Sequence, residues 1–195
     1  WMIRSELRDA LIKLYVRNLK TGKEEELVIT NEKVITPGIS LMQKNRNTNK
    51  LYIGYNSPKT PGKSYVYDIV TKEKKLVKEE MVPSGHQPDD YIVERLNCDS
   101  HDGRKIPLTI TRHKKTKLDG TANLLLYAYG SYGASMGPGF SSSRLSLINR
   151  NIIWVTAHVR GGMERGMSFW TEGKMLNKKN TFEDYISSAK FLIEK

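Results

Sequence analysis

Cysteine is almost absent from this 195-residue sequence, and long apolar runs are absent altogether. The one cysteine, Cys98, excludes a disulfide within the chain and is typical of the reducing cytoplasm. No apolar run approaches the ~20 residues that a membrane-spanning helix requires, so we expect a cytoplasmic location and no membrane partner. The chain also lacks an initial methionine and ends inside a helical pattern, which predicts a part of a longer protein.

Acidic residues are fewer than basic ones, with 21 Asp and Glu against 32 Lys and Arg, and the net charge is +11. An excess of positive charge is one mark of nucleic-acid binding. The basic residues are scattered, however, and their clusters are as short as Arg112–Lys117. We therefore predict an ordinary solvated surface and no nucleic-acid partner, and a basic nucleic-acid-binding module is kept as an alternative.

Metal-ligand spacing is also missing among the four histidines, which are His86, His101, His113 and His158. His158 ends an apolar strand and is interpreted as a core residue or a support for a neighbouring site. A glycine-rich stretch lacks the dinucleotide fingerprint and the helix that follows it. Its glycines are Gly130, Gly133, Gly137 and Gly139. The sequence predicts neither a metal nor a cofactor.

A serine nucleophile is not evident either. The one match to a nucleophile elbow is Gly133-Ala-Ser-Met-Gly137, which needs a strand directly before Ser135 and a helix directly after it. A glycine-tyrosine loop precedes it and Pro138-Gly139 follows. The later His158 and Asp184 come in the wrong chain order for that fold. Ser135 is therefore rejected, and the Ser/Asp/His triad is predicted to be absent from this chain.

The first 80 residues read as all-β. We expect strands at 14–19, 26–30, 51–55, 65–69 and 75–77. The 14–21 segment matches the 64–71 segment at a spacing of 50, because Tyr15 corresponds to Tyr65, Asn18 to Asp68 and Thr21 to Thr71. A strand, turn and strand that recur in this way are typical of propeller blades, although a chance likeness of two hairpins remains the alternative.

The second half reads as α/β. A Pro/Gly/Asp-rich linker covers 82–90, a hairpin is expected at 91–111 with Pro107 at a sheet edge, and apolar strands follow at 124–129 and 152–159. A closing helix is predicted, with Thr181 as N-cap and Asp184 as a first-turn acid. Its apolar face is expected on the sheet and contains Phe182, Tyr185, Ile186, Ala189, Leu192 and Ile193. Because chemistry gathers at the carboxyl ends of parallel strands, Tyr129 is a candidate site residue.

Several motifs of the second half occur together. They are Tyr127-Ala-Tyr-Gly-Ser-Tyr-Gly133, Ser143-Arg-Leu145, His158-Val-Arg-Gly-Gly162, then Glu164, Gly166, Trp170 and Gly173, and finally Lys179-Asn-Thr-Phe-Glu-Asp-Tyr185. In this combination the chain resembles the prolyl oligopeptidase family of serine peptidases, in its oligopeptidase B branch. The resemblance runs from Asp102 to the end of the sequence and continues more faintly back through the repeats.

The resemblance implies a partial α/β hydrolase preceded by the last blades of a seven-bladed β-propeller. It predicts the propeller part over residues 1–82 and the peptidase part over residues 83–195. It implies that Tyr129 donates its hydroxyl to the oxyanion, and that the Ser, Asp and His of the triad lie outside this chain. Short peptides are the expected substrates, cut after basic residues, and a C-terminal chain that carries the triad is a possible complementing partner.

The sequence departs from that branch at one place. Members commonly carry acids at the positions of Gly137 and Gly139, where they recognise a second basic residue of the substrate. Two glycines put a dibasic preference in doubt. The sequence alone also leaves open a non-enzymatic interaction fragment.

Overall fold

In a computed structural model, the chain is described over residues 1–39 and 47–195. This part of the chain forms three β-sheets, and its helices follow the third sheet's last strands or lie between them. The first sheet contains β1 (Met2–Arg8), β2 (Leu11–Arg17) and β3 (Glu24–Glu26), in that order. The second is antiparallel and contains β4 (Thr36–Ile39), β5 (Lys50–Asn56), β6 (Lys63–Asp68) and β7 (Lys74–Glu79).

The recurrence at a spacing of 50 residues is confirmed by the two turns. The side chain of Asn18 accepts hydrogen bonds from the backbone of Lys20 and Thr21, and that of Asp68 accepts them from Val70 and Thr71. These are equivalent positions in the turns after β2 and β6. Two hairpins with the same turn chemistry are a repeated unit, and the mostly-sheet architecture is consistent with propeller blades.

The strand predicted at 26–30 is wrong in its position. The strand β3 ends at Glu26, and the next residues leave the sheet edge to enter the core between the first two sheets. Leu27 still donates a backbone hydrogen bond to Leu14, and both Leu27 and Ile29 are buried against Ile53. The apolar alternation at 26–30 therefore predicted correctly which residues are buried, but it did not predict which residues pair in a strand.

The third sheet is mixed. It contains β8 (Tyr91–Asp99), β9 (Lys105–His113), β10 (Leu124–Tyr127) and β11 (Ile153–Ala157), in the order β10-β11-β9-β8. The strands β10 and β11 are parallel, and the other pairs are antiparallel. Its core is formed by β9 and β11 together with Val159 and Phe169.

The prediction that Pro107 lies at a sheet edge is wrong, because β9 is an interior strand. The Pro107 carbonyl accepts a hydrogen bond from His158, one residue beyond the end of β11. In an antiparallel strand the nitrogen and the carbonyl of one residue face the same neighbour, so the Pro107 nitrogen also faces His158. It therefore lies beyond the last paired residue of β11. A missing N–H costs nothing in pairing at that place.

Three α-helices accompany the third sheet in the described part of the chain: α1 (Ser142–Ile148), α2 (Met167–Thr171) and α3 (Lys179–Glu194). Short 3₁₀ turns cover Pro88–Asp90 and Met175–Asn177. Helices packed beside a sheet with a parallel pair agree with the predicted α/β character of the second half. Within residues 1–39 and 47–195, no helix has the length and hydropathy needed to cross a membrane.

The closing helix differs from its prediction in two respects. It begins at Lys179, before Thr181, and Thr181 is buried inside it and does not cap it. Its buried face is polar and contains Thr181, Asp184 and Ser188, whereas Phe182 and Ile186 of the predicted face are exposed. Apolar periodicity found the helix, and Leu192 of the predicted face packs against the core of the third sheet. The first half of the helix instead buries its polar stripe against the Arg160 loop.

Candidate active site at the ends of two parallel strands

Two loops meet where the parallel strands β10 and β11 end. Tyr129 comes two residues after β10, and Arg160 comes three residues after β11. The two loops are joined by a backbone hydrogen bond from Gly133 to the Gly161 carbonyl at 2.9 Å, and Gly133 forms a bridge with Gly162. The carboxyl edge of the sheet next to Tyr129 is therefore built from two mutually bonded glycine loops.

Glycine is required at the closest approach of these loops. Gly130 has a φ of +63°, and a Cβ there would lie 2.6 Å from Val159 Cγ2 and 2.8 Å from the Arg160 carbonyl oxygen. Gly161, with a φ of +100°, would clash with the backbone of Gly130. The left-handed backbone and the lack of space together exclude other residues. This contact fixes the backbone next to Tyr129.

Lys178 ties the same loop to the start of α3. Its ammonium group donates hydrogen bonds to the Gly130 carbonyl and, at 2.9 Å, to Ser131 Oγ. Partial burial lowers the pKa of Lys178 from its ordinary value. Sequence reasoning missed this residue, because a lysine before a helix carries no signal that distinguishes it from a surface charge.

Tyr129 itself is available to a ligand. Its side chain is 44% exposed. Within residues 1–39 and 47–195 its hydroxyl makes no hydrogen bond, whereas the hydroxyl of Tyr185 donates to the Leu126 carbonyl. A phenol held at a strand end by a rigid loop can donate a hydrogen bond to an oxygen that gains negative charge. The structure thus places Tyr129 as predicted, and its role stays a prediction.

Arg160 is the centre of the site's electrostatics. It is 2% exposed, and its guanidinium donates to Asp184 Oδ1 at 2.6 Å and to Asp102 Oδ2 at 2.6 Å. Burial alone lowers the pKa of Arg160, but the hydrogen bonds of the two carboxylates raise it above its ordinary value. The pKa of Asp102 is lowered by the same contact, against the effect of burial. The pairs connect the β8–β9 turn, the β11 loop and α3.

Asp184 is therefore not the first-turn acid that the sequence predicted. It is fully buried, accepts the backbone N–H of Arg160 at 2.9 Å and accepts the hydroxyl of Ser100 at 2.6 Å. Thr181, one turn earlier, donates its hydroxyl to the Arg160 carbonyl at 2.7 Å. The polar stripe of α3 exists because it binds the Arg160 loop. The sequence contained a signal for this buried polar face, because Thr181, Asp184 and Ser188 lie at helical spacing on one side of α3.

His158 is a buried residue at the end of β11, as predicted. Its Nε2 lies 2.9 Å from Arg95 Nη1 and 2.8 Å from Thr109 Oγ1. Burial, with a smaller effect from Arg95, lowers the pKa of His158 from 6.5 to about 3. The ring is therefore neutral, and Nε2 accepts a hydrogen bond from Arg95. It contacts neither a nucleophile nor solvent.

The surroundings of Ser135 lack the geometry of a nucleophile elbow. Ser135 lies in an exposed loop with neither a strand directly before it nor a helix directly after it. His158 and Asp184 are held by Arg95 and Arg160, and neither bonds to the Ser135 hydroxyl. These three residues do not form a triad. No group of three or more His, Cys, Asp and Glu side chains in the described ranges could hold a metal ion.

The two departures Gly137 and Gly139 lie where the loop meets the second sheet. A Cβ at Gly137 would contact Thr36 Oγ1 at 3.5 Å, and one at Gly139 would lie 3.1 Å from Asn56 Oδ1. Asn56 also accepts the backbone N–H of Phe140 at 2.9 Å. The end of the loop after Tyr129 therefore contacts the β4–β5 pair, while its middle around Ser135 is exposed.

Repeated hairpins followed by a mixed sheet are an architecture that this chain shares with known peptidases. The sequence model described as the prolyl oligopeptidase family matches residues 138–195. Dipeptidyl aminopeptidase BI of Pseudoxanthomonas mexicana is 37% identical over 180 residues, which are 92% of this chain and 25% of that protein. Protease 2 of Moraxella lacunata is 37% identical over 154 residues, which are 79% of this chain and 22% of that protein.

Solved structures agree. Oligopeptidase B from Trypanosoma brucei, with covalently bound antipain and in a closed form, superposes with a TM-score of 0.89 at 32% identity over 98% of this chain and 28% of that one. Oligopeptidase B from Leishmania major superposes with a TM-score of 0.87 at 30% identity, over 98% of this chain and 28% of that one. The chain belongs to the prolyl oligopeptidase family. It spans about a quarter of the length of the curated relatives that it matches.

Proposed function

We propose that this chain acts as part of a serine-type oligopeptidase. Residues 1–82 supply the last blades of a β-propeller, and residues 83–195 supply the first part of an α/β-hydrolase domain. The reaction is transfer of a peptide acyl group to a serine and then to water. In this assignment the nucleophile, its histidine and its aspartate come from outside this chain, because Ser135 has none of the geometry of an elbow.

The observation that carries the proposal is the position of Tyr129. It stands at the carboxyl end of a parallel pair, half exposed, on a loop fixed by Gly130 and Lys178. The tetrahedral intermediate of acyl transfer bears a negative oxygen, which a fixed hydroxyl donor stabilises more than it stabilises the substrate carbonyl. We assign Tyr129 the role of that donor.

A complementing segment that carries the triad is the partner implied by the third sheet. Among the described residues the strand β10 has only β11 as a neighbour, so its other edge carries no strand there, and the Tyr185 hydroxyl binds its Leu126 carbonyl. On the same helix as Tyr185, Phe182 is 61% exposed and Ile186 is 45% exposed. A further strand at β10 would pair the free edge and cover this apolar face. We propose that this strand leads to the nucleophile.

Short peptides are the proposed substrates, in a cytoplasmic protein. Cleavage after basic residues is proposed because the chain resembles oligopeptidase B and protease 2, but relatives named for prolyl endopeptidase activity match as well. Gly137 and Gly139 carry no charge that could bind a second basic residue. We therefore propose a preference for one basic residue at the cut and no preference for a pair.

The experiment compares the 195-residue chain with a longer protein of its relatives' length that contains it. A fluorophosphonate probe should label the longer protein at one serine outside this chain and should leave the chain alone unlabelled. Peptide substrates with Lys, Arg or Pro before the cut then report the preference. Labelling of Ser135, lost on heat denaturation, would overturn the assignment of the nucleophile.

The same two proteins, the 195-residue chain and the longer one, also test two other functions. Retention on heparin that falls steeply with salt would favour a nucleic-acid-binding module, because phosphate contacts release counterions. A longer protein that binds peptides and never labels would favour a non-enzymatic interaction fragment. The scattered basic residues support neither a phosphate-binding groove nor a single binding face.

A further inference from the structure

Glu164 is a buried side chain that touches two distant parts of the chain. It is 1% exposed, and its Oε1 accepts a hydrogen bond from the backbone N–H of Met136 at 3.0 Å. Its main-chain carbonyl accepts one from Ala10 at 2.9 Å. Met136 lies in the loop after Tyr129, and Ala10 lies in the turn between β1 and β2. One residue therefore bridges the first hairpin and the loop beside the candidate site.

The β1–β2 turn is anchored at this point by more than one contact. Asp9 and Ala10 both have left-handed backbones, with φ values of 51° and 62°, and Ala10 is 1% exposed. The Asp9 carboxylate pairs with Arg165 Nε at 2.6 Å, and the Asp9 carbonyl accepts a hydrogen bond from Arg95. The turn is thus a docked element, and its contacts include the residue next to Glu164.

The carboxylate of Glu164 is enclosed by two backbones. A Cβ on Gly162 would clash with the Glu164 carboxylate and would lie 2.7 Å from the Ala134 carbonyl oxygen. The carboxylate occupies the space that Gly162 leaves free. It therefore fills the gap between the Arg160 loop and the loop of Ala134 and Met136, and a shift of either loop must move it.

This burial is unfavourable for the carboxylate itself. Its Oε2 has no hydrogen-bond partner among residues 1–39 and 47–195, and burial raises the pKa of Glu164 above its ordinary value. A buried carboxyl oxygen without a donor destabilises a fold. An apolar residue of similar size would serve packing better, so the contact with Met136 needs a reason other than stability.

We propose that Glu164 is a positioning residue, which holds the Gly133–Gly139 loop in place and couples that loop to the docking of the β1–β2 turn. The inference rests on the proposed function, in which this loop borders the peptide site next to Tyr129. Its geometry does not depend on that function. A hairpin of the first sheet would then influence the substrate side of the third sheet through one side chain.

Hydrogen exchange of the chain tests the first part. Glu164→Leu removes the acceptor at similar volume, and Glu164→Gln keeps an oxygen for the Met136 N–H. We expect exchange within 133–139 to be about tenfold faster in Glu164→Leu and close to the parent in Glu164→Gln, because the Met136 N–H loses its acceptor only in the first. Equal exchange in the two variants, or a change spread evenly over β9 and β11, would overturn the proposal.

The coupling is tested from the other end. Asp9→Asn weakens the pair with Arg165 and tolerates the left-handed backbone, and it does not touch the 133–139 loop. We expect that loop to exchange about two- to fivefold faster in this variant. Asp68→Asn is the control, because it makes the same change in the turn after β6, where asparagine stands at the equivalent position 18 of the first copy. If Asp9→Asn leaves the loop unchanged, the coupling is wrong.

A kinetic comparison in a longer, active protein separates this inference from the proposed function. Glu164→Leu should raise KM for peptides more than it lowers kcat, and Glu164→Gln should restore both. If Tyr129 proves unimportant while the exchange pattern holds, the proposed function fails and the positioning role stands. If the kinetics are normal and the loop exchange is unchanged in Glu164→Leu, the positioning role fails alone.

Discussion

Arg160 and Asp184 form a bidentate ion pair that solvent does not reach, with Nε 3.0 Å from Oδ2 and Nη2 2.6 Å from Oδ1. Asp184 also accepts the backbone N–H of Arg160. The pair joins α3 to the loop after β11, and Gly161 of that loop binds the loop after Tyr129. The geometry of the candidate site therefore depends on a contact between an arginine in a turn and an acid inside a helix.

Removing one partner of this pair should be costly. We expect Arg160→Met to lower the free energy of unfolding by about 3–5 kcal/mol, because it leaves the Asp184 carboxylate buried and unpaired. The matched control is Lys13→Met, which breaks an exposed pair with Glu26 and should leave the free energy of unfolding nearly unchanged. Urea unfolding measures both. The double variant Arg160→Met/Asp184→Leu should recover part of the loss, and equal effects of the Arg160 and Lys13 variants would contradict the prediction.

Gly130 offers a test of close packing with an internal control. Gly130→Ala and Gly22→Ala both place alanine at a positive φ, +63° and +74°, so both carry the same backbone strain of about 1–2 kcal/mol. Only the Gly130 Cβ meets other atoms, among them Thr181 Cγ2 at 2.5 Å. We expect a further loss of about 1–3 kcal/mol at Gly130. Thermal or urea unfolding of the two variants decides, and equal losses would show that the loops have room to separate.

Some elements could be read from the sequence for clear physical reasons. The turns after β2 and β6 depend on local chemistry, because Asn18 and Asp68 bond to the backbone two and three residues ahead. Such local bonds do not need the rest of the fold. The strand β11 is apolar at four of its five positions and is largely buried, so its apolar run was informative.

Other features depend on contacts with residues that are distant in the sequence. Pro107 was placed at an edge by a rule about its own strand, but the position where β11 ends decides whether its missing N–H matters. The face of α3 was assigned from its apolar residues, although Thr181 and Asp184 in its first half bind the polar Arg160 loop. Lys178 and Glu164 have no local signature, because their partners lie 48 and 28 residues away.

His158 should make stability depend on pH. Its pKa is about 3 in the folded chain and 6.5 when unfolded, so the unfolded state alone gains a proton between these values. The neutral ring therefore contributes stability that is full above pH 6.5 and is lost as the pH falls towards 3, by about 5 kcal/mol at most. We expect His158→Gln to be less stable than the parent at pH 7 and to lose less on going to pH 4.

The measurement is urea unfolding at both pH values for His158→Gln and for His101→Gln. His101 is exposed, so its variant should follow the parent curve at both. Carboxylates elsewhere titrate in all three proteins and cancel in the comparison. Parallel curves for the parent and His158→Gln would mean that burial, with the smaller effect of Arg95, does not exclude the proton from the ring.

The oxyanion role of Tyr129 has its own signature in a longer, active protein that contains this chain. Tyr129→Phe keeps the ring and removes the donor, and loss of one such donor typically lowers kcat by about 10²–10³. We expect a fall of at least about tenfold in kcat, with KM and the melting temperature nearly unchanged. Tyr127→Phe is the matched control, because Tyr127 is similarly exposed and its ring stacks on Trp154. Its variant should keep the parent kcat.

The two readouts separate a chemical role from a structural one. A tyrosine that only packs would lose stability without a specific change in kcat, since its ring contacts do not differ between the substrate and the transition state. Peptides with poorer leaving groups should be affected more than activated esters, because formation and collapse of the tetrahedral intermediate then limit the rate more strongly. If Tyr129→Phe turns over peptides at the parent rate, another group at the ends of β10 and β11 stabilises the oxyanion.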